Sequence, residues 1–187
     1  MNNEKQVLEE NRGMLHARRR FFADGPPSAN LSRWGLTPDM HQEIASLDEC
    51  QVERAADCAA PLFGLIHLDD VLINVLQSTH ALPIASLASD SLDKLIEDEN
   101  LSMLLARWAS SRESPQYAQM VLGMSQRLVS VMQNATINDM RRASKRGVRL
   151  ATIRVTPQYF FHAGRNISMQ RSQRTHLAIC STATRTL

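Results

Sequence analysis

Apolar residues recur at three- and four-residue spacing through most of the chain, the pattern of helices that bury one stripe. Over 4–23 they fall at Val7, Leu8, Leu15, Phe21 and Phe22. The spacing predicts a helix that stops before Pro26 and Pro27, which cannot continue it. "TPDMHQEIASL" sets Thr37 ahead of Pro38, a helix start signal, with Met40, Ile44 and Leu47 at helical spacing. Asp48 then caps a second short helix with Val52 and Ala55–Ala56 inward. "APLFGLIHL" (60–68) is an apolar run broken by Gly64 and suits a buried strand or a turn; "DDVLINVLQ" reads as helix or strand, because periodicity cannot separate the two over so few residues. Residues 77–90, rich in Ser, Thr and Ala, form a junction. From Ser91 a long helix is predicted with Leu92, Leu95, Ile96, Met103, Leu104 and Trp108 as its apolar positions. Two short amphipathic helices follow, Ser125–Ala135 and Asn138–Arg146, the second closed by Gly147. "VRLATIRV" alternates and predicts a strand. Residues 162–187 are polar, basic and mostly aperiodic, and are expected to be flexible.

Setting Gly35 against Gly123, an offset of 88, shows self-similarity. Thr37 then meets Ser125, Met40 meets Leu128, Ile44 meets Met132, Val52 meets Met140, Ala55 meets Ala143 and Leu62 meets Leu150. Upstream, "ARRRFF" faces "ARWASS" across a one-residue gap. The apolar positions and the cap agree more than the letters do, so duplication is favoured and chance similarity stays open. The expected fold is mainly α: two similar small helical modules, each a helix-turn-helix-like unit followed by a short strand, plus a basic C-terminal tail. Module one spans 1–76, the junction 77–90, module two 91–161 and the tail 162–187.

Composition narrows the class. Hydrophobic residues make up 43% and aromatics 5%, so the core must be built from Leu, Met, Ala, Ile and Val. No apolar run reaches the roughly 18–20 residues that span a bilayer, and "MNNEKQVLEENRG" does not resemble a signal peptide. A cytoplasmic protein without a membrane role is expected. Cys50, Cys58 and Cys180 include no C-x-x-C, which argues against a disulfide framework or structural zinc; Cys50 and Cys58 are expected to be buried thiols. Charge is lopsided. Residues 1–137 carry 11 basic and 18 acidic side chains, a net of −7, while 138–187 carry 10 and 1, a net of +9. Such asymmetry points to a polyanion at one end.

"GLTPDMHQEIASLDECQVERAAD" with its apolar sequel, and "MVLGMSQRLVSVMQNATINDMRRASKRGVRLATIRV" with its Leu122–Gly123–Met124, resemble the FlhD-like family, the D subunit of the flagellar master transcriptional regulator, here as two tandem copies. The resemblance covers about two thirds of the chain. It implies a helical transcription regulator, expected to be an activator, working with a second, FlhC-like subunit as a homo-dimer or hetero-oligomer. Flagellar genes or transfer genes of a conjugative mobile element are the implied targets. No cofactor is implied.

The residues themselves carry compatible chemistry. With Leu128, Val131 and Met132 packing on Ile137, Met140 and Ala143, the second short helix leaves Asn138, Arg141, Arg142, Lys145 and Arg146 outside, and Arg149 and Arg154 follow. Arg pairs bidentately with guanine, Asn with adenine, and Lys neutralises phosphate, so double-stranded DNA is the expected ligand. The alternative is a plain solvated face; the one-sided net charge favours contact. Arg165, Arg171 and Arg174 are expected to add backbone contacts. Arg18, Arg19 and Arg20 are candidates for partner or self-association as much as for DNA, and the acidic Glu49, Glu53 and Asp57 for a protein interface or a plain solvated face. H-E-x-x-H, P-loop, G-x-S-x-G and Gly-rich dinucleotide patterns are absent, so no enzyme is expected. His67 beside Asp69–Asp70 reads as a loop or helix cap rather than a metal site. The competing function is a non-enzymatic adaptor whose basic end docks on an acidic protein.

Overall fold

The computed structural model describes residues 3–23, 31, 36–65, 69–77, 91–145 and 150–182. Among them are ten helices and one two-stranded sheet, so the protein is mainly α, as the 3.6-residue period predicts. No helix of the described residues is long and apolar enough to cross a membrane. The expected junction, 78–90 beyond the last residue of a helix, lies outside the described residues, as do His67, Arg146 and Arg149.

Helix α1 is Asn3–Ala23. α2 (Pro38–Ser46) starts where Thr37 Oγ1 accepts Met40 N–H, with Pro38 at a position whose amide needs no partner. α3 (Glu49–Ala56) opens on a reciprocal capping box between Asp48 and Gln51. Then come β1 (Phe63–Leu65) and α4 (Asp69–Gln77). The ambiguous segment 69–77 is thus helical; Asp69 and Asp70 sit in its first turn, where the positive end of the helix dipole favours them.

α5 (Ser91–Glu113) and α6 (Pro115–Met120) precede α7 (Gln126–Asn134) and α8 (Ile137–Ser144). β2 (Ala151–Ile153), α9 (Pro157–Arg165) and α10 (Arg171–Cys180) complete the described chain. The bounds of α7, α8, β2 and α9 each lie 88 residues beyond those of α2, α3, β1 and α4. Buried positions recur at the same interval: Met40 and Leu128, Ile44 and Met132, Val52 and Met140, Ala55 and Ala143, Leu62 and Leu150.

Two compact units result, drawn otherwise than the modules expected from sequence. One consists of residues 1–63 and 152–187, the other of 64–151. The helix after each strand is therefore exchanged: α9 belongs with α2 and α3, and α4 with α7 and α8. In the first unit Tyr159 and Phe160 are fully buried, Tyr159 Oη donates to Ala55 O (2.7 Å), and Gly164 lets α9 approach α3 so closely that a Cβ there would meet Leu47 Cδ2 at 2.9 Å and Gln51 O at 3.3 Å. In the second, Leu72, Ile73 and Leu76 join a core with Leu104, Leu128, Met132 and Met140.

A buried asparagine ties the long helix to the strand approach in each unit. Leu62 N donates to Asn11 Oδ1, and Leu150 N donates to Asn100 Oδ1, both at 2.9 Å. The two belong to a repeated string that the 88-residue register conceals. Glu10-Asn11-x-x-Met14-Leu15-x-Ala17-Arg18 returns as Glu99-Asn100-x-x-Met103-Leu104-x-Ala106-Arg107 at an offset of 89. All of these except the alanines are buried, the two arginines included.

Three expectations are corrected. The stretch 162–187 is not simply flexible: within its described part α10 folds into the first unit through Arg174, 7% exposed, which donates to Asp57 O (2.9 Å) and pairs with the Asp57 carboxylate. Cys50 is exposed and only Cys58 is buried, because α3 ends at Ala56 and the second thiol leaves the helical register. Ile137 does not pack inward; as the first residue of α8 it is 45% exposed.

Candidate nucleic-acid interface

In the second unit α7 and α8 are joined by two residues, and the connection is clamped from α5. Trp108 Nε1 donates to Ala135 O (2.9 Å), and Gln133 Nε2 donates to Ser111 O (3.0 Å). Leu128, Val129 and Met132 of α7 and Met140 and Ala143 of α8 fill the core beneath. Burying side chains of this size contributes about 1.5–3 kcal/mol each, enough to hold the pair rigidly without help from the outer surface.

That outer surface is basic. Asn138, Arg141, Arg142 and Lys145 are exposed, and their spacing of three, four and seven puts them on one stripe of α8. Thr136 caps the helix: its Oγ1 accepts Asp139 N–H (3.3 Å), and the Asp139 carboxylate accepts from Thr136 N (2.7 Å) in return. The Thr136 backbone amide, then its hydroxyl, and more weakly Arg142, hold the Asp139 carboxyl below its ordinary pKa. Arg142 is ion-paired to that carboxylate, so its guanidinium is tethered. Arg141 and Lys145 have no acidic partner among the described residues. Chemically the stripe offers an amide, a fork-shaped donor and a point charge, the set that reads base edges and neutralises phosphate.

The rest of the predicted set is not gathered there. Arg154, half-buried, belongs to the other compact unit. Arg165 donates to Ser46 Oγ (2.8 Å) and pairs with Glu43 (3.3 Å). Arg171 pairs with Glu4 (2.8 Å) and Asp57 (3.5 Å), and Arg174 with Asp57. These three are structural, because Glu43, Glu4 and Asp57 supply their counter-charges.

The proposed partner residues also separate. Arg18 is 0% exposed, with its guanidinium 4.8 Å from the centre of the Phe63 ring, and cannot be a surface contact. Arg19 Nε donates to Leu47 O (2.6 Å), the same bridging role for α2 and α3 that Trp108 plays for α7 and α8. Glu53 is held by Arg12 (2.6 Å) and His16 (2.7 Å), and Asp57 by Arg171 and Arg174. Arg20 and Glu49 are exposed. Asp70 meets Arg127 in an exposed ion pair at 2.9 Å, of small energetic weight. Among the described residues no group of three or more His, Cys, Asp or Glu is placed to hold a metal ion.

Comparison with protein-family models, with curated proteins and with solved structures finds no match to the chain.

Proposed function

We propose that the protein is a DNA-binding transcriptional regulator, an activator acting with a second, FlhC-like subunit, whose DNA contact is the outer stripe of α8. It is built as two similar helical modules of the helix-turn-helix kind. The repetition of element bounds and buried positions at 88 residues supports the modular reading. The observation that carries the functional one is the juxtaposition of Asn138, Arg141, Arg142 and Lys145 on one exposed helical stripe, with Arg141 and Lys145 unpaired among the described residues.

A helix with that inventory, braced by a second helix and a short connection, fits a major groove. Fluorescence anisotropy with labelled duplex DNA over a salt series tests the proposal. Micromolar or tighter binding that weakens as salt rises is expected, and the triple variant Arg141→Ala/Arg142→Ala/Lys145→Ala should bind at least about ten-fold more weakly. Equal binding by the variant would remove α8 as the contact.

A further inference from the structure

We infer that each chain engages DNA through one reading helix only, so that one chain contacts a single asymmetric half-site and never both halves of a palindrome. The inference rests on the DNA-binding reading above and adds the symmetry class of the ligand.

Regulators built from two equivalent helix pairs ordinarily present both reading helices, and the operator mirrors the protein's two-fold symmetry. This chain has two equivalent pairs, since α2 and α3 recur as α7 and α8 with bounds displaced by 88. The positions matching Asn138, Arg141, Arg142 and Lys145 are Cys50, Glu53, Arg54 and Asp57.

The first set is closed in two ways. Its signs are wrong for phosphate at Glu53 and Asp57, and its charged members are engaged within the unit. Glu53 is held by Arg12 at 2.6 Å and His16 at 2.7 Å, Arg54 Nε donates to Gly164 O at 2.8 Å, and Asp57 is held by the buried Arg174. Opening that face would leave Arg174 buried without its counter-ion, a state proteins avoid. The second set keeps Arg141 and Lys145 without acidic partners among the described residues. Duplication therefore supplies two scaffolds and one reader. A single short helix neutralises few phosphates, so binding by the chain alone should show a shallow salt slope, of magnitude about 3 or less, and a second DNA-contacting subunit would extend it.

The test is selection of bound sequences from a random duplex library with the full chain, followed by hydroxyl-radical footprinting and sedimentation of the complex. The expected result is one half-site motif and one protected segment per bound chain, with an inverted repeat only where sedimentation counts two chains on the duplex. Cys50→Ala/Glu53→Gln should bind within about two-fold of the parent, whereas Arg141→Ala/Lys145→Ala should lose about ten-fold or more; circular dichroism checks that each variant is folded. An inverted repeat with two protected segments about 10 base pairs apart bound by one chain, or an equal loss in both variants, overturns the single-reader inference while leaving DNA binding in place. Absence of binding to every duplex removes both.

Discussion

The side-chain amides of Asn11 and Asn100 are fully buried, and each accepts a backbone N–H from the residue just ahead of a strand. Removing either acceptor strands a buried donor, which costs about 1–3 kcal/mol. Asn11→Ala and Asn100→Ala should each lower stability by that amount in urea titrations; a change below a few tenths would show that the amide is not structural. These residues were readable in the sequence, in the string Glu-Asn-x-x-Met-Leu-x-Ala-Arg that occurs twice. They escape a search for apolar periodicity because the informative members are polar and buried. Arg18 misleads for the same reason: a basic run looks solvated until Phe63 is placed over its guanidinium. The thiols differ as sharply. Burial raises the Cys58 pKa, whereas Cys50 and Cys180 are exposed. A thiol reagent at mild alkaline pH should modify two cysteines rapidly and the third only in denaturant; three fast thiols would contradict the placement of Cys58.

At the scale of elements, local signals were legible and long-range ones were not. Thr37, Asp48 and Ser125 cap the helices they precede, since a cap is a property of four adjacent residues; Thr136 caps α8 two residues ahead of the expected start at Asn138. The Thr136–Asp139 cap carries a pH signature. The Asp139 carboxyl titrates below its ordinary 3.8, so its contribution is complete above that value and is lost as pH falls through the depressed folded value. Asp139→Asn should flatten the acid limb of the stability profile as pH falls below the ordinary carboxyl value of 3.8; an unchanged limb would mean that other carboxylates govern it. The exchange of α4 and α9 between units could not be read from periodicity, which specifies a buried face but not its partner. Gly164 marks the contact. Gly164→Val forces a branched side chain against Leu47 and the Gln51 carbonyl, and overpacking of this kind costs about 1–3 kcal/mol. Thermal melts should register that loss, and a neutral result would argue against close packing of α9 on α3. Helix α10 was missed because its buried residues are only Arg174 and Ala178; ion pairs and hydrogen bonds anchor it, and these leave no apolar rhythm.

For the whole molecule, the charge asymmetry has two causes that composition cannot separate. Part of the C-terminal excess is internal: Arg165, Arg171 and Arg174 meet Glu43, Glu4 and Asp57 in the first unit. The remainder among the described residues is concentrated on α8, where Arg141 and Lys145 meet no acid. Among the described residues the acid-free part of this basic region thus narrows to one helical stripe. The proposed DNA contact at that stripe is tested most directly by the salt dependence of duplex binding for the parent and for Lys145→Ala. If Lys145 neutralises one phosphate, the slope of log K against log salt should fall in magnitude by about 1. A parental slope near zero, or a slope that Lys145→Ala leaves unchanged, would contradict the assignment of α8 to DNA.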